Sequence, residues 1–478
     1  MTINITGKPI TCLDIWNIAH GEDIAIAPTI MEKMQKNVDS MTEPSSILHH
    51  KRHWLTGNPS LPSQDIAESF ILGHCAGVGT PFPKEIVRAA IATRILVLCT
   101  GITGSRPIVV EKMAEMLNKD IIPTVPSQGS VGAAGDLAPM AHIARVLCGY
   151  TPNSIPDFAP LVPTDKEALA LINGISLSTA IAAIAIIRAE KLLEAAIWAA
   201  GLSMEVVRAQ SQCIDARPLL ARNHPEVEEV GAILRELLQD SSRVLPNNKP
   251  DAFSIRAGPS VMGAILRTLR FAKEEVQREL QGTSDNPLLF DGEWLEAGNF
   301  HGASVAMAMD HLKTALSQLA TLSERRIFRL THGKLSNNLP SFLVEGTGLN
   351  SGFMLAQYTA AALASETKGY AHPASADSIP TVQHHEDHVS MAPIAARHAL
   401  HSIECVYDII AIELLVGAQA LDLRQRDDGL APPQHIHALH TRIRENVPFW
   451  KDDNVLHPVI SAMQSMVRAG IPLPKTFR

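Results

Sequence analysis

Aromatic residues fill only 4% of the 478 positions, and alternation of β-branched with polar residues is scarce. Together these argue against an all-β sandwich or barrel. The six cysteines (Cys12, Cys75, Cys99, Cys148, Cys213 and Cys405) are scattered, with no Cys-x-x-Cys pair. That disfavours a zinc site or a disulfide frame and fits buried free thiols in a reducing cytoplasm. No arginine-rich run or basic stripe accompanies the mild net charge of −8. A small-molecule ligand is therefore the expected partner, and nucleic acid is not. The opening Met1-Thr2-Ile3-Asn4 starts no positively charged leader with an apolar run behind it, so no secretory signal is expected. The most apolar stretch, Leu177 to Ile187, is followed by Arg188, Glu190 and Lys191 and is too short to span a bilayer. A cytoplasmic protein without membrane association is the expectation. Internal repeats and low-complexity segments are also missing.

What is present is alanine, leucine and helical periodicity. Long windows of helical period run over Ile181–Gln210, Ser260–Leu280, Gly302–Ile327, Phe353–Lys368 and Met391–Ala420. Helices of this length that are apolar on most faces must be buried against other helices. The expectation is a mainly α fold with a long central helical bundle buried at subunit interfaces; a monomeric bundle is the alternative. Three segments follow. Residues 1–180 form a loop-rich helical region, 181–425 the long-helix bundle, and 426–478 peripheral helices. Gly and Pro punctuate the first segment, at Gly57-Asn58-Pro59, Gly77-Val78-Gly79, Gly101 to Pro107 and Gly129 to Gly135. Loops concentrate chemistry, so the site is sought there first.

The segment Gly129-Ser130-Val131-Gly132-Ala133-Ala134-Gly135-Asp136-Leu137-Ala138-Pro139 carries three glycines in seven residues, which permit a tight backbone path. Asp136 is placed to cap the helix that follows. The residues alone describe either a plain tight turn or an anion site at a helix N-terminus.

This segment resembles the signature of the aromatic amino acid lyases, in which Ala-Ser-Gly cyclises to an electrophilic methylidene-imidazolone. Other segments match in the same order over roughly residues 65 to 425. They include Gly73-His74-Cys75-Ala76-Gly77, Leu169 to Gly174, Phe253-Ser254-Ile255-Arg256, and Ser284-Asp285-Asn286-Pro287-Leu288. Gly298-Asn299-Phe300-His301, Leu322-Ser323-Glu324-Arg325-Arg326, Asn350 to Met354 and Glu386-Asp387-His388-Val389-Ser390-Met391 complete the series. His74 and Glu386-Asp387-His388 point to the histidine ammonia-lyase branch. The resemblance implies an L-aspartase-like helical fold and a homotetramer with shared active sites. Segments near 50–80, 130–175, 250–300 and 384–390 would then meet in the oligomer. It also implies substrate contacts. Arg256 would grip a carboxylate, with Asn173 beside it. His74 and Glu386 would hold an imidazole ring, Phe300 would form an aromatic wall, and His385 would lie beside Glu386.

Four departures matter. In the degenerate cofactor loop Ala133-Ala134-Gly135, Ala134 stands where the family has the serine whose dehydration makes the methylidene, so that cofactor cannot form and none is expected. Arg52 stands where the family has a loop tyrosine, Phe253 replaces a second tyrosine, and Pro250 replaces a glutamine. The family's electrophile ties up a primary amine, whose protons are far more acidic than the β-proton. A quaternary nitrogen has no such proton and leaves as a neutral tertiary amine. The expected reaction is therefore trimethylamine elimination from a histidine betaine: ergothioneine to thiourocanate, or trimethylhistidine to urocanate. Ergothionase looks like a cofactor-free relative with that chemistry. Phe253 would offer the trimethylammonium group a cation–π surface. Glu386 or His74 would donate a proton to the ring, and the β-proton base would come from His50, Lys51 or His53; that basic loop also reads as a solvated surface turn. Two other readings stand beside this one: a histidine ammonia-lyase inactivated at residue 134, and a non-catalytic homologue serving as an assembly subunit. His384-His385-Glu386-Asp387-His388 also invites a metal reading, although consecutive ligands rarely converge on one ion.

Overall fold

The computed structural model describes residues 2–42, 66–246 and 250–474. Lys51, His50, His53 and Arg52 lie outside the described residues. The architecture is mainly helical. Long helices run over Ser176–Val206, Gly258–Glu279, Ala303–Thr331, Met354–Tyr370 and Ala392–Asp428. Each coincides with a window of helical period, with ends displaced by a few residues. Among the described residues, no helix is long and apolar enough to cross a membrane.

The chain divides into two compact units. The first contains Met1–Ile187, Ala272–Asp310 and Pro373–Arg397; the second contains Arg188–Phe271, His311–His372 and His398–Arg478. The consecutive segments expected at 1–180, 181–425 and 426–478 correspond to neither. That division followed loop density, whereas the unit boundaries fall inside or at the ends of long helices such as Ser176–Val206 and Ala392–Asp428.

In the first unit, the helix Lys84–Cys99 is buried on nearly every face. Short strand pairs lie around the helices: Thr2–Ile5 parallel to Asp23–Ile26, Val78–Pro81 antiparallel to Pro126–Gln128, and the hairpin Leu288–Phe290 with Glu293–Leu295. The core is not wholly apolar. Asp285 is fully buried, with Lys166 Nζ at 2.7 Å and Arg94 Nη2 at 3.6 Å. In the second unit, Glu413 is fully buried among apolar residues. It accepts hydrogen bonds from Arg326 Nε (2.5 Å), Arg326 Nη2 (2.8 Å), Ser203 Oγ (2.7 Å) and Ser323 Oγ (2.5 Å). The buried Arg243 is paired with Glu205 (2.7 Å) and Asp428 (2.7 Å). The tail carries the two helices expected there, Gln434–Arg444 and His457–Ala469. Five of the six cysteines are buried and Cys75 is half-buried, and all six are free.

Glu279, at the end of the helix Gly258–Glu279, is pushed up to about 7 by burial and, secondarily, by the negative charge of Asp136. Its folded value lies above its unfolded one, so the native chain holds a proton that the unfolded chain has released. The stability this confers is present below about 4.5 and is lost as pH rises through about 7. Glu279→Gln removes the titration. Its stability relative to wild type is expected to improve by about 1–2 kcal/mol between pH 5 and pH 8. Urea unfolding at the two pH values checks this, and an equal difference at both would contradict it.

Candidate active site

The glycine-rich loop is held by two other stretches of the first unit. Gly174 N donates to Ala134 O (3.0 Å) and Asp136 N donates to Gly174 O (2.7 Å). Met391 N donates to Val131 O (2.9 Å), and Ser390 Oγ donates to Gly132 O (3.0 Å). Gly135 has φ +89°, and a Cβ there would collide with the backbone of Gly174. Gly174 has φ +91°, and a Cβ there would collide with Ser284 O. The two glycines thus allow three backbone segments to lie against one another.

Asp136 does not cap the helix Leu137–Leu147 that it precedes. Its carboxylate instead accepts from Ser178 N (2.7 Å) and Ser178 Oγ (2.7 Å), in the first turn of the helix Ser176–Val206. The sequence expectation picked the adjacent helix; the orphan amides that Asp136 satisfies belong to one starting forty residues on. Burial pushes this carboxyl up to about 6, against the hydrogen bonds from Ser178 and Leu177 and the charge of Arg94.

Ala133 and Ala134 form one wall of a cleft of about 610 Å³. A second wall is Asn286 with Glu296, Ala297, Gly298, Phe300 and His301, beyond the β-hairpin. The third is Val382 with His385, Glu386, Asp387 and His388. That last segment is strained: Val382, Gln383 and His384 have φ of +46°, +53° and +69°. Left-handed backbone at a β-branched residue is unfavourable and concentrates at functional sites. Thr381 closes the turn, with its N donating to Glu386 O (3.0 Å) and its Oγ1 donating to Glu386 Oε2 (2.7 Å). Asn286 is fixed on both sides, since its Oδ1 accepts from Ala297 N (2.7 Å) and its O accepts from Asn173 Nδ2 (2.7 Å).

The described lining carries three carboxylates (Glu296, Glu386, Asp387), three imidazoles (His301, His385, His388) and one aromatic ring, Phe300. It includes no lysine or arginine. Such a cleft attracts a cationic group. Among the described residues no three His, Cys, Asp or Glu side chains converge to hold a metal ion.

The cleft therefore brings together Ala133, Ala134, Phe300, His385 and Glu386 from the sequence reading, with Gly135 shaping the loop behind them. His74 and Asn173 belong to the same unit but are not on the cleft's described walls. His74 Nδ1 lies 2.7 Å from Phe70 O, at the end of the helix Ile66–His74. Asn173 is buried, with its Oδ1 unpartnered among the described residues. Phe253 and Arg256 belong to the second unit, on the short helix Phe253–Arg256. There the Arg256 guanidinium lies 4.9 Å from the exposed Phe253 ring, so that ring already carries a cation. Arg256 also lines a cavity of about 600 Å³ with Gln210, Gln212, Cys213, Arg222 and Ser260. Sequence reading gave no role to His301, and His388 entered it only as a branch marker and in the metal reading. The available signal was adjacency, since they stand beside Phe300 and within Glu386-Asp387-His388.

The chain belongs to the aromatic amino acid lyase family, whose profile matches residues 59–445. The histidine ammonia-lyase of Geobacillus thermodenitrificans is 43% identical over 417 residues, covering 84% of this chain and 82% of that protein. The crystal structure of histidine ammonia-lyase from Trypanosoma cruzi superposes with a TM-score of 0.86 at 32% identity, covering 98% of this chain and 94% of that one. Ergothionase from Treponema denticola superposes with a TM-score of 0.85 but at 23% identity, covering 98% and 99%. The likeness to ergothionase is thus one of fold alone, and the closer likeness is to histidine ammonia-lyases.

Proposed function

We propose that this chain is a carbon–nitrogen lyase for a histidine-derived substrate whose nitrogen is quaternary, working by acid/base β-elimination without an internal electrophile. The observation that carries this is Ala134, which turns a methyl group toward an acidic cleft where the family has a serine. Without that hydroxyl the loop does not fit methylidene-imidazolone, and no step runs through it. A trimethylammonium group needs no electrophile, because it has no N–H to compete with the β-proton. The carboxylates of Glu296 and Asp387 and the face of Phe300 suit such a cation. Phe300 takes over the cation–π role that the sequence suggested for Phe253. Glu386 donates a proton to the imidazole or thione, which acidifies the β-proton. Arg256, with Asn173, orients the carboxylate, and a homotetramer brings Arg256 of one copy to the cleft of another. The name of the 43% identical relative supports an imidazole-bearing substrate.

Similarity favours a second reading more than the first: a histidine ammonia-lyase frame left without its electrophile by the residue at 134. One experiment separates them. The wild-type chain and Ala134→Ser are incubated with ergothioneine, trimethylhistidine and histidine, and the conjugated acrylate absorbance is followed. The first reading expects wild-type turnover of a betaine and none of histidine. The second expects histidine turnover to appear, at least 100-fold above wild type, only in Ala134→Ser. Wild-type turnover of histidine alone would sink the betaine reading.

A further inference from the structure

Two histidines in the cleft face each other. His388 Nδ1 lies 3.4 Å from His301 Nε2, and the rings stack at 27° with centroids 5.4 Å apart. Both line the cleft that holds Ala134 and Glu386. They come from opposite walls, one following Phe300 and the other following the strained turn at Val382–His384.

Two ring nitrogens at that separation and facing one another cannot both carry a proton. One must donate and the other accept, so the neutral pair holds one shared proton between its inner nitrogens. Taking up one more proton makes the pair a single imidazolium, and only a further one would place two charges face to face. Burial, and then the charge of His388, hold His301 below the usual imidazole value. The other titratable groups on the cleft walls are Glu296, His385, Glu386 and Asp387. The carboxylates favour a protonated imidazole, so they limit how far His301 is held down. An imidazole pair with a basic ring nitrogen left to accept a proton thus lines the cleft.

We propose that the His301–His388 pair is the acceptor of the substrate β-proton. The inference rests on the β-elimination reading above and adds to it the base, for which the sequence offered only His50, Lys51 and His53. The Cβ–H bond breaks, and its electron pair becomes the Cα=Cβ double bond. The Cα–N bond breaks with its electrons leaving on the neutral tertiary amine, and the proton goes to the pair, which becomes a single imidazolium shared by two rings. The pair returns that proton to solvent after product release. Two imidazoles joined by that contact spread one positive charge, which favours the pair once it has taken the proton.

The test uses the full-length protein with whichever histidine betaine it turns over, and records kcat and KM against pH for wild type, His301→Ala and His388→Asn. Wild-type kcat/KM is expected to fall on the acid side, with an apparent pKa below the ordinary imidazole value of about 6.5. His301→Ala is expected to lose about 10²–10⁴-fold in kcat with KM little changed. His388→Asn, which keeps a polar neighbour without its charge, is expected to retain measurable activity and to move the acid limb upward. A merely structural role would change rate or KM without moving that limb. A betaine-active wild type whose two variants keep the wild-type rate and acid limb overturns the pair as the base and leaves the lyase reading standing. A wild type that turns over no betaine overturns the lyase reading, and the pair's role with it.

Discussion

Glu386→Gln is expected to reduce kcat/KM for the betaine substrate by about 100-fold or more. The glutamine can still accept from Thr381 Oγ1, so the turn at residues 381–386 keeps its closure. What it loses is the carboxyl proton that acidifies the β-position. The split between constants shows where the loss falls. A loss carried by kcat reports an interaction made in the transition state, and a loss carried by KM reports uniform binding. Steady-state kinetics on the acrylate absorbance give both, and an unchanged kcat/KM would remove Glu386 from the reaction.

Glu413→Ala is expected to cost about 3–5 kcal/mol of stability, because it leaves the Arg326 guanidinium buried without its counter-charge. Arg326 itself is 1% exposed, so water cannot take the place of the carboxylate. Ser203 and Ser323 lose their acceptor at the same time. The double replacement Glu413→Leu with Arg326→Met is expected to recover most of that loss, since removing both charges spares the desolvation of the one left behind. Denaturant unfolding of the wild type, Glu413→Leu, Arg326→Met and the double closes the cycle. Additive losses would show that the two groups do not act as a pair.

The long helices were legible because helical period is sustained over four or more turns, a signal that survives small errors at the ends. The ion pairs inside them were not. Glu413 draws its partners from positions 87 to 210 residues away, and nothing local marks it as paired. Asp136 was read as a cap for the nearest helix because sequence adjacency is the only geometry a sequence offers. Its partner Ser178 is 42 residues on, and the contact is made possible by the backbone of Gly135 against Gly174. The cleft was legible in its members Ala133, Ala134, Phe300, His385 and Glu386, because motif order carried them. Its charge balance was not, since Glu296 lies outside those motifs and His301 and His388 gain meaning only from facing one another across 87 residues of chain. His74 and Asn173 carry motif positions yet lie off the described walls of this cleft. Arg256 and Phe253 lie in the other unit, and their ring-to-guanidinium contact has no counterpart in any pattern of residue types.

The alternation of the two units along the chain has a consequence for biosynthesis. The first unit needs the stretch ending at Arg397, and the cleft needs Val382 to His388. A ribosome delivers these after the whole of Arg188–Phe271 and His311–His372, which belong elsewhere. The leading 187 residues therefore wait, incomplete, through most of translation, and contacts of long sequence separation close slowly. Nascent chains stalled before residue 373 would expose the surface meant for that late segment, and would be the species that chaperones meet.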